Sequence, residues 1–251
     1  MAGMILTFDG FTPQIDPTAF IAPTAVIIGD VVIGPGANIW YGCVLRGDGN
    51  QLRVGAGTNI QDGTIVHLNS QDDHGRGAPG YRCIIGDNVT IGHMALIHAC
   101  TLEDGAFVGM KACVMDGAVV EGGGMVAAGA LLTPNKRVRK GELWAGSPAK
   151  LLRQLSPKEM EDFASTAPYY AELGAHYRKQ GLSGQMLDAA LKFLKKRKVK
   201  LAEGYPVPLT KAGKELPATF VWTGPLKIFE QAGFEIVQRV SYSRPLVQKK
   251  L

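Results

Sequence analysis

LEDGAFVGMKACVMDGAVVEGGGMVAAGALLTPNKRV (102–138) repeats an aliphatic residue at every sixth position: Leu102, Val108, Val114, Val120, Val126, Leu132 and Val138. Gly, Ala, Asp, Asn and Pro fill the spaces between. A six-residue period fits neither an amphipathic helix nor alternating strands joined by ordinary hairpins. It fits short flat strands separated by tight turns, three to a coil, with one aliphatic side chain per strand pointing inward. Successive coils then stack at about 4.8 Å and their aliphatic residues form a ladder.

The pattern extends in both directions. Upstream it passes through Ile15, Ile21, Ile27, Ile33, Ile39 and Leu45, resumes at Val54, Ile60 and Val66, and again at Ile85, Ile91 and Ile97. Downstream it ends near Trp144. Two insertions interrupt it: three residues between Leu45 and Val54, and thirteen between Val66 and Ile85, NSQDDHGRGAPGY (69–81), which reads as an extruded loop. The chain resembles the hexapeptide-repeat family, which implies a mostly β fold, a left-handed parallel β-helix. Expected organisation is β-helix over 1–155, a C-terminal α-helix over 156–180 packed on it, and a separate segment over 181–251. Ser156 and Glu159 form a capping-box pattern, Pro157 suits the first helical position, and Pro168 is expected to break or kink the helix.

Composition narrows the classes. Hydrophobic residues make up 46% of 251, enough for a packed core and against general disorder. No apolar run is long enough to span a bilayer, and MAGMILTFDG (1–10) lacks a secretory pattern. Cys43, Cys83, Cys100 and Cys113 show no close CxxC pairing, so free thiols and a cytoplasmic location are expected. Net charge is +5, with basic runs at KRVRK (136–140) and KKRKVK (195–200). Without a recognition motif these read as solvated faces, and neither nucleic acid nor membrane is expected as a partner.

Phase counting places the histidines. With the insertions removed, Leu45, Val66 and Ile97 lie one coil apart, so Arg46, His67 and His98 form a column on one side of the prism. Ile60 and Ile91 stack on another side, so Asp62 and His93 form a second column, with Gln61 beside Asp62. Two stacked imidazoles make part of a site for zinc, which takes nitrogen ligands in a tetrahedral set. His93 completes the set if the second column faces the first column of a neighbouring chain, as a cyclic homotrimer allows. The same docking brings Asp62 opposite Arg46.

RGD (46–48), NIQDGTIVH (59–67) and IGHMALIH (91–98) are similar to the γ-class carbonic anhydrases over about residues 8–177. The resemblance implies His67, His93 and His98 as metal ligands from two chains, Arg46 and Asp62 as an interface pair supported by Asp48, and Gln61 as hydrogen-bond partner of the metal-bound hydroxide. Tyr170, in YYAEL, matches a tyrosine placed near the active site by a C-terminal helix. The implied reaction is hydration of carbon dioxide to bicarbonate through water activated by Zn2+, with Fe2+ or Co2+ as alternatives that imidazole ligands do not distinguish. Gly49 stands where well-known active members carry a glutamate that moves the proton; Asp72, Asp73 and His74 are candidate substitutes in the loop, against the commoner reading of an exposed polar loop. Two other readings are carried: a noncatalytic metal-binding trimeric scaffold, and an acyl-CoA-dependent transferase. The last gains from RKQGLSG (178–184), LAEGYPV (201–207), FVWTG (220–224), FEQAGFEIV (229–237) and RPLVQKKL (244–251), which together resemble the C-terminal half of a GNAT-type N-acetyltransferase.

Overall fold

The computed structural model describes residues 3–70, 80–179, 190–204, 229–230, 232–241 and 244–250. The chain divides into two units, one spanning Gly3–Ala175 and the other running from His176 onward.

The first unit is a left-handed parallel β-helix of about seven turns. Its strands are mostly two or three residues long, and each pairs in parallel with strands one coil before and after. Ile27, Ile39, Leu45, Ile60, Val66, Ile91, Ile97, Leu102, Val108, Val114 and Val120 are fully buried in one continuous core. Only the ends of the ladder, Ile15 and Trp144, are partly exposed. Burying each such side chain contributes about 1.5–3 kcal/mol, which lets strands this short persist. Between the rungs, small residues turn the corners. At Gly29 (φ +78°) a Cβ would stand 2.3 Å from the Gly47 carbonyl oxygen of the next coil, so nothing larger fits.

The coil stack ends in an antiparallel hairpin, Glu142–Gly146 with Ala149–Gln154. Two helices follow, α1 (Pro157–Ala164) and α2 (Thr166–Lys179). Ser156 caps α1: its hydroxyl accepts from the Glu159 amide at 3.3 Å while the Glu159 carboxylate accepts from the Ser156 amide at 2.8 Å. The break falls at Ser165, three residues before Pro168. Pro168 has no amide to offer the Ala164 carbonyl and its ring crowds that oxygen, so the helix ends there and the proline sits in the first turn of α2. The helices return along the prism. Phe163 packs on Phe107 with ring centroids 5.1 Å apart, Tyr170 meets the edge of Trp40 at 5.6 Å, and Gly174 comes close against Phe20 and Asn38.

In the second unit a helix over 190–196 and an antiparallel sheet share a small core of Leu191, Ala202, Phe229, Phe234 and Val247. The sheet runs in the order Leu201–Gly204, Arg244–Lys250, Glu235–Ser241. From residue 180 on, the RKQGLSG stretch lies outside the described residues, as do FVWTG (220–224) and the loop residues Asp72, Asp73 and His74. The division between the two units falls inside α2, between Ala175 and His176.

Candidate metal centre

Register places the first column. Leu45 pairs with Val66, Val66 with Ile97, and His67 directly with His98. The three aliphatic residues point into the core, so the residues that follow them, Arg46, His67 and His98, point outward and remain half-buried. A bulge brings in a fourth side chain. Ile28 pairs with Arg46, but Val31 pairs with Leu52, so the strand Val44–Val54 carries three more residues than its partner across this stretch. The extra residues swing Asp48 onto His67.

The imidazoles are fixed from outside. His67 Nε2 lies 3.1 Å from Asp48 Oδ1, and His98 Nδ1 lies 2.6 Å from Asp116 Oδ1. Burial favours protonating both carboxyls. Hydrogen bonds from Arg46 and His67 to Asp48, and from Asn69 and His98 to Asp116, outweigh it and hold both below the usual carboxylate range. Ionised carboxylates only accept hydrogen bonds, so each histidine's proton sits on its outer nitrogen. Burial, with a smaller contribution from the Arg46 charge, pushes the His67 pKa down and so favours the neutral ring.

With both rings neutral the inner nitrogens carry lone pairs, and His67 Nδ1 and His98 Nε2 are 3.3 Å apart. Two nitrogens bound at 2.0–2.1 Å to one tetrahedral ion stand about 3.3–3.4 Å apart. The donor set therefore fits a divalent metal, with His67 and His98 as its residues and Asp48 and Asp116 as the carboxylates that orient them. Beside Asp116, Asn69 donates from Nδ2 at 3.0 Å while its Oδ1 is buried without a partner among the described residues.

The second column is also in register, with Ile60 paired to Ile91. Two positions on, Asp62 Oδ2 lies 3.0 Å from His93 Nδ1, and Asp62 Oδ1 accepts from the Tyr41 amide at 3.2 Å. The His93 side chain is 37% exposed. Gln61 is buried and donates to Asn59 Oδ1 at 3.0 Å, which Asn59 repays by bonding Thr90 on the next coil. Tyr170 is on this side too; burial, then the Asp62 charge, raises its pKa. Among the described residues no three potential ligands converge within the chain, so His93 does not join His67 and His98. Nor does Arg46 reach Asp62: it pairs with Asp48 on its own strand.

Sequence reasoning overlooked Asp116 and Asn69. The signal for Asp116 was present, since Val114 continues the Val66–Ile97 column and Asp116 follows it by two. Gly49 is crowded: a Cβ there would lie 2.7 Å from Ser70 Oγ and 3.0 Å from Ser70 Cα.

The model for "Bacterial transferase hexapeptide (six repeats)" matches residues 12–47. "Gamma carbonic anhydrase 2, mitochondrial" of Arabidopsis thaliana is 46% identical over 195 residues, 77% of this chain and 69% of that protein. "Gamma carbonic anhydrase 1, mitochondrial" of the same plant is 53% identical over 161 residues, 64% of this chain and 58% of that protein. The crystal structure of a hexapeptide transferase family protein from Anaplasma phagocytophilum is 49% identical, superposes with a TM-score of 0.64, and is covered over 98% of its length by 69% of this chain.

Proposed function

The chain belongs to the γ-class carbonic anhydrase family, and from that premise we propose that it assembles as a homotrimer and hydrates carbon dioxide to bicarbonate at metal sites shared between neighbouring chains. The observation that carries this reading is the pair of opposed nitrogens, His67 Nδ1 and His98 Nε2, each backed by a carboxylate. His93 of the adjacent chain supplies the third nitrogen. A bound divalent cation, Zn2+ first and Fe2+ or Co2+ as alternatives, supplies the Lewis acidity that makes water nucleophilic near neutral pH.

The chain's own residues do the rest. Asp48 and Asp116 hold the protons of His67 Nε2 and His98 Nδ1, which keeps the inner nitrogens as donors toward the cation. Asp62 holds His93 Nδ1 in the same way and leaves its Nε2 for the neighbour. Gln61, anchored through Asn59, orients oxygen near the centre, and Tyr170 closes that side. Association is supported by the surface between the columns, where Ile65, Met94, Leu96 and Met110 are exposed in the single chain. In the trimer Arg46 also faces Asp62 of the neighbour.

Gly49 favours a second reading, a trimer that binds metal with slow or no turnover, because Ser70 occupies the space a proton-carrying side chain would need. Stopped-flow carbon dioxide hydration with metal analysis of the same sample separates the two. The catalytic reading expects about one divalent ion per chain and hydration that His98→Ala abolishes. Metal at full occupancy without hydration leaves the binding role alone, and absence of metal removes both.

A further inference from the structure

Charge is divided unequally between the two units. Up to Ala175 the chain carries 17 acidic and 12 basic residues, net −5; from His176 on it carries 5 and 15, net +10. The densest stretch is LKFLKKRKVK (191–200), with six cations and no acid. Lys192, Lys195, Lys196, Arg197, Lys198 and Lys200 are all exposed, and none forms an ion pair among the described residues. Such a density of unneutralised cations repels itself and gains from a polyanion.

The helix over 190–196 orders these charges. Leu191 and Leu194 face the unit's core. At a hundred degrees per residue Phe193 points away from that core, flanked by Lys192 and Lys196 on one side and Arg197 on the other. Phe193 is 57% exposed, and the Arg197 guanidinium lies 5.1 Å from its ring centroid. The turn after the helix, closed by hydrogen bonds from Lys198 to Lys195 and from Val199 to Leu194, leads into a strand whose first residue, Leu201, is exposed as well. Ile236 and Val237 add exposed aliphatic surface to the same unit.

We infer that this face of the second unit docks onto an anionic lipid surface, with Phe193 entering the headgroup region and the surrounding cations contacting lipid phosphates and carboxylates. An aromatic side chain ringed by lysines is the arrangement of helices that lie in a membrane interface rather than cross it. The exposed Leu201, which follows directly on the basic turn, favours lipid over nucleic acid, which makes use of stacked aromatics but has little use for bare leucine. No helix among the described residues is long and apolar enough to cross a membrane, and docking of this kind needs none. The basic run read from sequence as a solvated face becomes an interaction surface once its exposed aromatic centre is visible.

The test uses the full chain and phosphatidylcholine vesicles with and without phosphatidylserine, followed by sedimentation. Binding is expected only with phosphatidylserine and is expected to fall as salt rises. Each cation removed weakens it about fivefold, so Lys192→Gln, Lys196→Gln and Arg197→Gln together cost about a hundredfold. Phe193→Ser weakens binding at unchanged charge. These side chains are exposed, and circular dichroism and oligomer mass verify that the variants stay folded. Failure to sediment with phosphatidylserine vesicles, or sedimentation that these variants leave unchanged, overturns the inference. So does tighter, Phe193-dependent binding to a single-stranded RNA oligonucleotide that displaces the vesicles.

Discussion

His67 and His98 stand on adjacent coils with their inner ring nitrogens 3.3 Å apart and their outer ring nitrogens on Asp48 and Asp116. Neither inner nitrogen has a proton to share when both rings are neutral. That spacing matches two nitrogen ligands converging on one tetrahedral ion. An ion that binds only the native state is expected to raise the unfolding temperature, by an amount that grows with the logarithm of free ion concentration above the dissociation constant.

Removing an outer carboxylate tests that arrangement without touching a ligand. Asp116→Ala frees the His98 ring to rotate and to change tautomer, and affinity for the metal is expected to fall about 10–100-fold. Competition with a chelator measures it. Asp48→Ala is expected to act similarly through His67, with the added loss of the Arg46 contact. Unchanged affinity in both variants would mean that the carboxylates do not orient the rings.

Gly49 is expected to tolerate no side chain. Gly49→Ala sets a methyl 2.7 Å from Ser70 Oγ and 3.0 Å from Ser70 Cα, which is overpacking worth about 1–3 kcal/mol in urea unfolding. In a Ser70→Gly background the hydroxyl and Cβ contacts vanish and part of that loss should return. A Gly49→Ala chain as stable as the parent would show that the neighbouring segment yields freely.

Cys43 gives a pH dependence. Its thiol is fully buried and donates toward the Gln61 carbonyl at 3.1 Å and the Ile60 carbonyl at 3.4 Å. Burial, with a smaller contribution from the Asp62 charge, pushes its pKa from 9.0 up to about 12. The native state thus keeps a proton that the unfolded chain releases. Stability from this group is complete below pH 9 and declines as pH rises toward 12, by on the order of 4 kcal/mol in all. A Cys43→Ala chain should show a shallower fall in stability over that window. At pH 8 Cys43 should resist alkylation in the native protein and react on unfolding; rapid native alkylation would contradict its placement.

Counting hexads was enough to recover the coil register, because a period of six admits one phase for each inward residue. Leu45, Val66 and Ile97 stack as counted, as do Ile60 and Ile91. The thirteen-residue insertion closes at its base, where the Asn69 amide reaches the Tyr81 carbonyl. Side-chain direction within an insertion has no period to follow. The swing of Asp48 onto His67, and with it the pairing of Arg46 with Asp48 on its own strand, is therefore visible only in the structure. Asp116 lies in a regular hexad, two residues after Val114, and its place on His98 is visible only in the structure. In the second unit, sequence similarity to an acetyltransferase rested on short stretches, several of them outside the described residues. Its exposed cations and Phe193 are read from geometry.

The most direct test of the shared site mixes two defective chains. His67→Ala and His93→Ala proteins, each expected to bind no metal at this centre and to lack hydration, are unfolded, combined in equal amounts and refolded. In a cyclic trimer each interface takes His67 and His98 from one chain and His93 from the next. Three-quarters of random trimers are then mixed, each with one intact interface of three, so about one quarter of the metal sites and of the hydration activity should return. Recovery near zero, with trimers verified by mass, would contradict a site built between chains from these two columns.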